Sequence, residues 1–210
     1  QPDFLAVRCT TPLEEKTKKK IALFTNVTAN DVLSCHDVKS IFQVPQILYD
    51  QGIMDSLFTK FGKVGMVNAS ANWDKWNSIA ESMTNHEDQK VRIAMVGKYV
   101  TLADSYVSVN HALKHAGAKL GKSVEIDWID SESITDYTSL SKYDGILVPG
   151  GFGTRGSEGI IKTADYARER NIPYLGICFG FQLASIAFAR NVLKLEDSNS
   201  TEIKPDAKNP

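Results

Sequence analysis

The sequence predicts an α/β protein built on a doubly wound parallel sheet, and three observations carry that prediction. After Lys90, short apolar runs alternate with helix-patterned stretches of ten or more residues, the signature of parallel strands joined by right-handed crossovers. Two glycine-rich turns, Pro149-Gly150-Gly151-Phe152-Gly153 and Gly176-Ile177-Cys178-Phe179-Gly180, each sit at the end of an apolar run. Ligands bind at that carboxyl edge in such sheets. The composition is ordinary for a folded chain, 210 residues with 42% hydrophobic and 23% charged, which suits one or two domains and excludes disordered or fibrous classes.

Each element follows from its pattern. Phe4-Leu5-Ala6-Val7 reads as a buried strand, and the charged run Glu14 to Lys20 leading into Ile21-Ala22-Leu23-Phe24 reads as a helix with a solvated face. Val32-Leu33 is a short strand and His36-Asp37-Val38 a turn. Ile41 to Gln51 is a helix with Ile41, Val44, Ile47 and Leu48 on one face, stopped by Gly52. Between Gly62 and Gln89 the periodicity weakens and Asn and Ser rise; Trp73 and Trp76, three apart, predict a docked amphipathic helix in this connector. The regular part then runs strand Val91–Val96 closed by Gly97, helix Ser105–Ala116 ended by Gly117, and strand Val124–Ile129. Strand Gly145–Pro149, helix Gly156–Arg170, strand Tyr174–Ile177 and helix Phe179–Asn191 complete it.

Charge and cysteine usage narrow the ligand class. With 24 basic and 25 acidic residues the chain has no electrostatic reason to bind nucleic acid or a membrane surface. No run approaches the ~18 apolar residues of a membrane span, and Gln1-Pro2-Asp3 is not a signal peptide. A cytoplasmic protein acting on small molecules is expected. Cys9, Cys35 and Cys178 are widely spaced, with no C-x-x-C pair, so neither a disulfide framework nor a bound metal is expected.

The chemistry concentrates at Cys178, placed between Gly176 and Gly180 where a buried strand turns into a helix. This is the arrangement of a nucleophile elbow: small neighbours allow the tight turn, and the helix N-terminus directs N–H groups and partial positive charge at the sulfur. The upstream glycine turn supplies backbone for the other half of an oxyanion hole. Gln182, four residues on, projects from the same helix face. Cys9 and Cys35 have no such context and read as small core residues.

The run Gly176-Ile177-Cys178-Phe179-Gly180-Phe181-Gln182, with Pro149-Gly150-Gly151-Phe152-Gly153 upstream and Asn199-Ser200-Thr201-Glu202 downstream, resembles the class I glutamine amidotransferases. Val96-Gly97-Lys98-Tyr99, the extension Thr154-Arg155-Gly156, and Phe188 to Leu193 narrow the resemblance to the CTP synthase family. Gln1-Pro2-Asp3, Lys20 to Phe24, His36-Asp37-Val38 and Val44-Pro45 resemble the end of that family's synthetase domain. The resemblance implies three parts. Residues 1–61 are the C-terminal part of an α/β, P-loop-like synthetase (amidoligase) domain, 62–89 an interdomain connector, and 90–210 an incomplete flavodoxin-like glutaminase domain.

It implies Cys178 as nucleophile, with Gly151, Phe179, Gly180, Phe181 and Gln182 lining the glutamine site and Glu202 meeting the amino-acid end of the substrate. Lys20 is placed near a UTP and CTP site, and His36, Asp37 and Val38 at an ATP-binding turn, although an ordinary turn histidine also accounts for His36. Phe179 and Phe181 stand where Leu and Met are more usual, which affects pocket shape rather than chemistry. The implied activity is ATP-dependent amination of UTP to CTP with ammonia from glutamine, with Mg2+ accompanying ATP. GTP as activator, CTP as inhibitor and a homotetramer are further implications.

One requirement is unmet within these residues. The family's base histidine and orienting acid follow the nucleophile, yet His36, His86, His111 and His115 all precede Cys178, and no G-x-x-x-x-G-K-[ST] loop occurs. The chain is therefore expected to be an internal piece, inactive by itself. Two other readings remain open here: a stand-alone cysteine hydrolase of the same fold, and a noncatalytic regulatory module with a vestigial elbow. Phe179, standing where many such hydrolases place a histidine, and Gln182 favour the glutaminase.

Overall fold

The structure, a computed structural model, describes residues 2–63, 73–84, 88–102 and 104–209. Gln1, residues 64–72, residues 85–87, Ala103 and Pro210 lie outside the described residues. The chain divides into two compact units, Gln1–Asn85 and His86–Pro210.

In the first unit, strands β1 (Leu5–Cys9) and β2 (Val32–His36) pair in parallel, Leu5 opposite Val32 and Cys9 opposite His36. Helix α1 (Glu15–Thr25) lies between them in sequence and buries only Ala22. Its lysine-rich face is solvated as expected. Leu23 and Phe24 are also exposed, and the helix ends at Asn26, whose left-handed conformation lets its N–H donate to Ala22 O. His36 is the last residue of β2 rather than part of a turn. The free edge of β2 is closed by a side chain: the Gln51 carboxamide accepts from Ser34 N (2.8 Å) and donates to Ser34 O (3.0 Å), as a third strand would.

The expected helix from Ile41 is a 3-10 turn over Ile41–Gln43, capped by Ser40 and Gln43, followed by α2 (Val44–Asp50). Gly52 stops α2, but the helical course resumes at once as α3 (Ile53–Lys60), an element the expected stop concealed. Helix α4 (Trp73–Ser82) docks as its tryptophan spacing predicts. The Trp73 and Tyr49 rings are 4.9 Å apart, and Trp76 Nε1 donates to Phe42 O at 3.0 Å.

The second unit is a four-stranded parallel sheet in the order β4-β3-β5-β6. Its strands are β3 (Lys90–Gly97), β4 (Ser123–Asp130), β5 (Gly145–Val148) and β6 (Tyr174–Gly176). Helices α5 (Val107–Lys119), α6 (Ser157–Glu169) and α7 (Phe179–Asn191) connect or follow them. Residue alternation explains why both faces are covered. Ala94 and Val96 of β3, with Ile146 and Val148 of β5, pack against α6 and α7 through Ile160, Ile161, Ala164, Leu183, Ile186 and Ala187. Met95 and Leu147 point the other way, to Tyr106, Val109 and Leu113 on the α5 side. Burying each large side chain contributes about 1.5–3 kcal/mol.

One expected boundary moves. Gly117 lies inside α5 rather than ending it, since a Cβ there would stand 2.5 Å from Val124 Cγ2 and 2.8 Å from Lys122 O. The glycine is needed for close approach of helix to strand, and the turn itself falls at Gly121, φ +63°. Among the described residues no helix is long and apolar enough to cross a membrane.

Candidate active site

The strand order reverses between β3 and β5, since β4 lies on one side of β3 and β5 on the other. Such a switch point opens a crevice at the carboxyl ends of the strands. Lys98 leaves β3 there, the glycine turn 149–153 leaves β5, and Cys178 follows β6.

Cys178 is held at φ +52°, ψ −108°, a conformation outside the ordinary left-handed well that costs a non-glycine residue about 1–3 kcal/mol. Its surroundings fix it. Ile177 N–H prolongs the sheet by donating to Val148 O (2.9 Å), and Cys178 O accepts from both Phe181 N and Gln182 N (3.0 Å each), starting α7. A Cβ on Gly176 would meet the Gly180 carbonyl carbon and oxygen and Phe181 N at 2.6 Å, and one on Gly180 would overlap Val148 O. Tyr174 adds a bond from its hydroxyl to Gly180 O (3.0 Å), and burial pushes that hydroxyl's pKa far up, keeping it a donor. The thiol is free and exposed.

The glycine turn stands beside it. A Cβ on Gly150 would lie 3.7 Å from Cys178 Cβ, and one on Gly151 3.7 Å from Phe179 Cδ1. Among the described residues, neither Gly151 N–H nor Phe179 N–H donates to an acceptor. Phe179 N–H is one of the orphan donors at a helix start, so each of the two adjoining turns carries an unspent donor, one on Gly151 and one on the residue after Cys178. Phe179 itself is 2% exposed, its ring in the core; it offers the site backbone rather than side chain. Phe181, 65% exposed, and Gln182, also exposed, face solvent. Glu202 reaches the same place from the C-terminal segment, where its Oε1 accepts from Gly153 N (2.8 Å).

Lys98 is the participant that sequence reading passed over, except as one letter of a motif. It is only 6% exposed. Its Nζ donates to Phe152 O (2.8 Å) and Gly153 O (2.5 Å) and lies 4.2 Å from the Phe179 ring centroid. Burial, and then the nearby Arg155 guanidinium, lower its pKa, while Glu202 and Glu132 oppose the shift. Arg155 in turn donates to Lys98 O (2.7 Å) and pairs with Glu132 (2.9 Å). The available signal was an isolated lysine just after a buried strand.

In the first unit, His36, Asp37 and Val38 come together at the carboxyl end of β2. Asp37 pairs with Arg8, and His36 Nδ1 lies 3.3 Å from Ser34 Oγ. Val38 lines a cleft of about 370 Å³ with Gln43, Gln46, Ile47, Asn77, Ala80 and Glu81. Lys20 sits apart from that turn, exposed on α1. Among the described residues no group of three or more His, Cys, Asp or Glu converges as a metal-ligand set.

Residues 101–207, the stretch bearing both glycine turns and the cysteine, match the family model for class-I glutamine amidotransferases. The chain belongs to the class-I glutamine amidotransferase family. Residues 1–63 match the model of the CTP synthase N-terminus, so the resemblance to CTP synthase read from the motifs holds in both units. A CTP synthase from Methanopyrus kandleri is 43% identical across the whole chain, which spans 39% of that relative's length. Among solved structures, the glutaminase domain of Trypanosoma brucei CTPS with bound acivicin is similar at 40% identity and a TM-score of 0.53. That match covers 56% of this chain and 47% of the other.

Proposed function

We propose that the chain is the glutaminase-bearing part of an enzyme that aminates UTP to CTP, with Cys178 as the glutamine-attacking nucleophile. The observation that carries this reading is the strained, exposed Cys178 at the start of α7, packed against a glycine turn, with the N–H groups of Gly151 and Phe179 unspent. Cys178 Sγ attacks the carboxamide carbon, and the developing oxyanion falls between those two donors, an interaction worth about 10²–10³ in rate per donor. The thiol proton passes to a histidine base, which the resemblance places after the nucleophile, and from it to the departing ammonia. The glutamyl thioester is then cleaved by water to glutamate. Gly151 and residues Phe179 to Gln182 line the substrate, and Glu202 meets its ammonium.

The first unit takes the nucleotides in this reading. His36, Asp37 and Val38 hold ATP at the end of β2, Lys20 lies toward UTP and inhibitory CTP, and Mg2+ accompanies the ATP phosphates. When bound, that ATP activates the UTP 4-oxygen for displacement by ammonia. GTP activation, a homotetramer and a cytoplasmic setting belong to the same proposal. The 210-residue chain alone is proposed not to turn over glutamine, since His36, His86, His111 and His115 all precede Cys178 and the resemblance places the base after it.

The test is an assay of the whole enzyme containing this segment. Cys178→Ala should abolish CTP formation from glutamine while ammonium chloride still supports it. Loss of both activities in a folded variant contradicts the assignment of two separate sites.

A further inference from the structure

The glycine turn beside Cys178 is gripped from two sides at one residue. Glu202 accepts from Gly153 N, and Lys98 donates to Gly153 O and to Phe152 O. The same ammonium rests against the ring of Phe179, whose own N–H is the second unspent donor of the site. A Cβ on Gly151 would lie 3.8 Å from Lys98 Cδ, so the lysine stem runs directly beneath the residue that offers the first donor. One buried cation therefore ties the turn after β5 to the first residue of α7.

Burying a lysine is costly unless its charge is satisfied, and here two carbonyls of an otherwise irregular turn satisfy it. Backbone carbonyls in a five-residue turn with three glycines have no sheet or helix of their own to hold them, so the ammonium substitutes for secondary structure. Preorganised donors are effective only when their geometry is set before the substrate arrives.

We propose that Lys98 is a positioning residue that holds the 150–153 turn in register with the Cys178 elbow, so that Gly151 N–H and Phe179 N–H address one oxygen of the bound carboxamide. The inference rests on the reading of Cys178 as a glutamine-attacking nucleophile. Lys98 touches neither the sulfur nor the substrate; it acts through Phe152, Gly153 and Phe179. Its loss should weaken glutamine binding and leave the intrinsic exposure of the thiol unchanged.

Alkylation of Cys178 by iodoacetamide, followed by peptide mass spectrometry on the whole enzyme containing this segment, separates these effects. In the wild type, glutamine should slow alkylation of Cys178 in a saturable way; if it gives no protection, the glutaminase reading fails before Lys98 is tested. In Lys98→Met, the rate without glutamine should stay within about twofold, while the glutamine concentration giving half-protection rises about tenfold or more, in line with loss of charge-assisted hydrogen bonds. Lys98→Arg, which keeps the charge and its donors, should recover part of that loss. Half-protection unchanged within twofold in folded Lys98→Met overturns the proposal. If Lys98→Met does not fold, Lys98→Gln, which keeps one donor group and loses the charge, takes its place: half-protection raised about threefold or more supports the clamp, and half-protection unchanged within twofold overturns it.

Discussion

The carboxyl end of β6 and the carboxyl end of β2 are both strand edges that carry candidate site residues, and they are built by different means. At β6, backbone packing fixes the site. Gly176, Gly180 and Val148 approach so closely that no side chain fits, and Cys178 is held in a conformation it would not adopt alone. At β2, side chains do the fixing. Arg8 reaches across to Asp37 and to the carbonyls of Cys9 and Cys35, and Ser34 Oγ lies between Cys9 Sγ (3.6 Å) and His36 Nδ1 (3.3 Å). Both charged partners there are more than half exposed. On the proposed function, a nucleophile that must meet one carbon at one angle would sit where the backbone is over-determined, and a turn proposed to contact a nucleotide through its surface would rest on solvated pairs.

Substitutions test that contrast, beginning with the largest effect. Gly176→Ala places a methyl against three backbone atoms that cannot move independently. It should lose at least about 4 kcal/mol in urea denaturation, in the range reserved for core overpacking and strain. A loss under about 1 kcal/mol would show that the elbow relaxes easily. Cys178→Gly relieves the strained conformation and should raise stability by about 1 kcal/mol, read as a higher denaturation midpoint at unchanged slope. A lowered midpoint removes the claim of stored strain. Arg8→Ala, by contrast, breaks an exposed pair. It should cost no more than about 1 kcal/mol, and less at high salt; a larger, salt-independent loss would make the two edges alike.

How much of this was legible in the sequence follows the same division. Steric requirements leave a compositional mark: glycines at 176 and 180 around a cysteine, and at 150 and 151 after a short apolar strand, announced the elbow and its companion turn. The span of α7 was read to the residue, since the elbow sets its start. Gly117 was misread because glycine marks both a helix end and a close approach, and only the neighbour Val124 distinguishes them. The grip of Lys98 on Phe152 and Gly153, 54 and 55 residues away, left no local pattern, because a lone lysine after a strand is ordinarily a solvated one. The Gln51 bridge to Ser34 was hidden for the same reason: one side chain closes a sheet edge through a contact between sequence-distant residues.

The central claim is that the strained cysteine at the end of β6 is a glutamine-receiving nucleophile, distinct from the two cysteines of the first unit. Competitive alkylation of the whole enzyme containing this segment with iodoacetamide, resolved by peptide for Cys9, Cys35 and Cys178, tests it directly. Exposure predicts that Cys178 reacts at least about ten times faster than half-buried Cys9 and Cys35, and the site geometry predicts that glutamine slows Cys178 alone. Equal rates at the three thiols, or a Cys178 rate indifferent to saturating glutamine, would contradict the account.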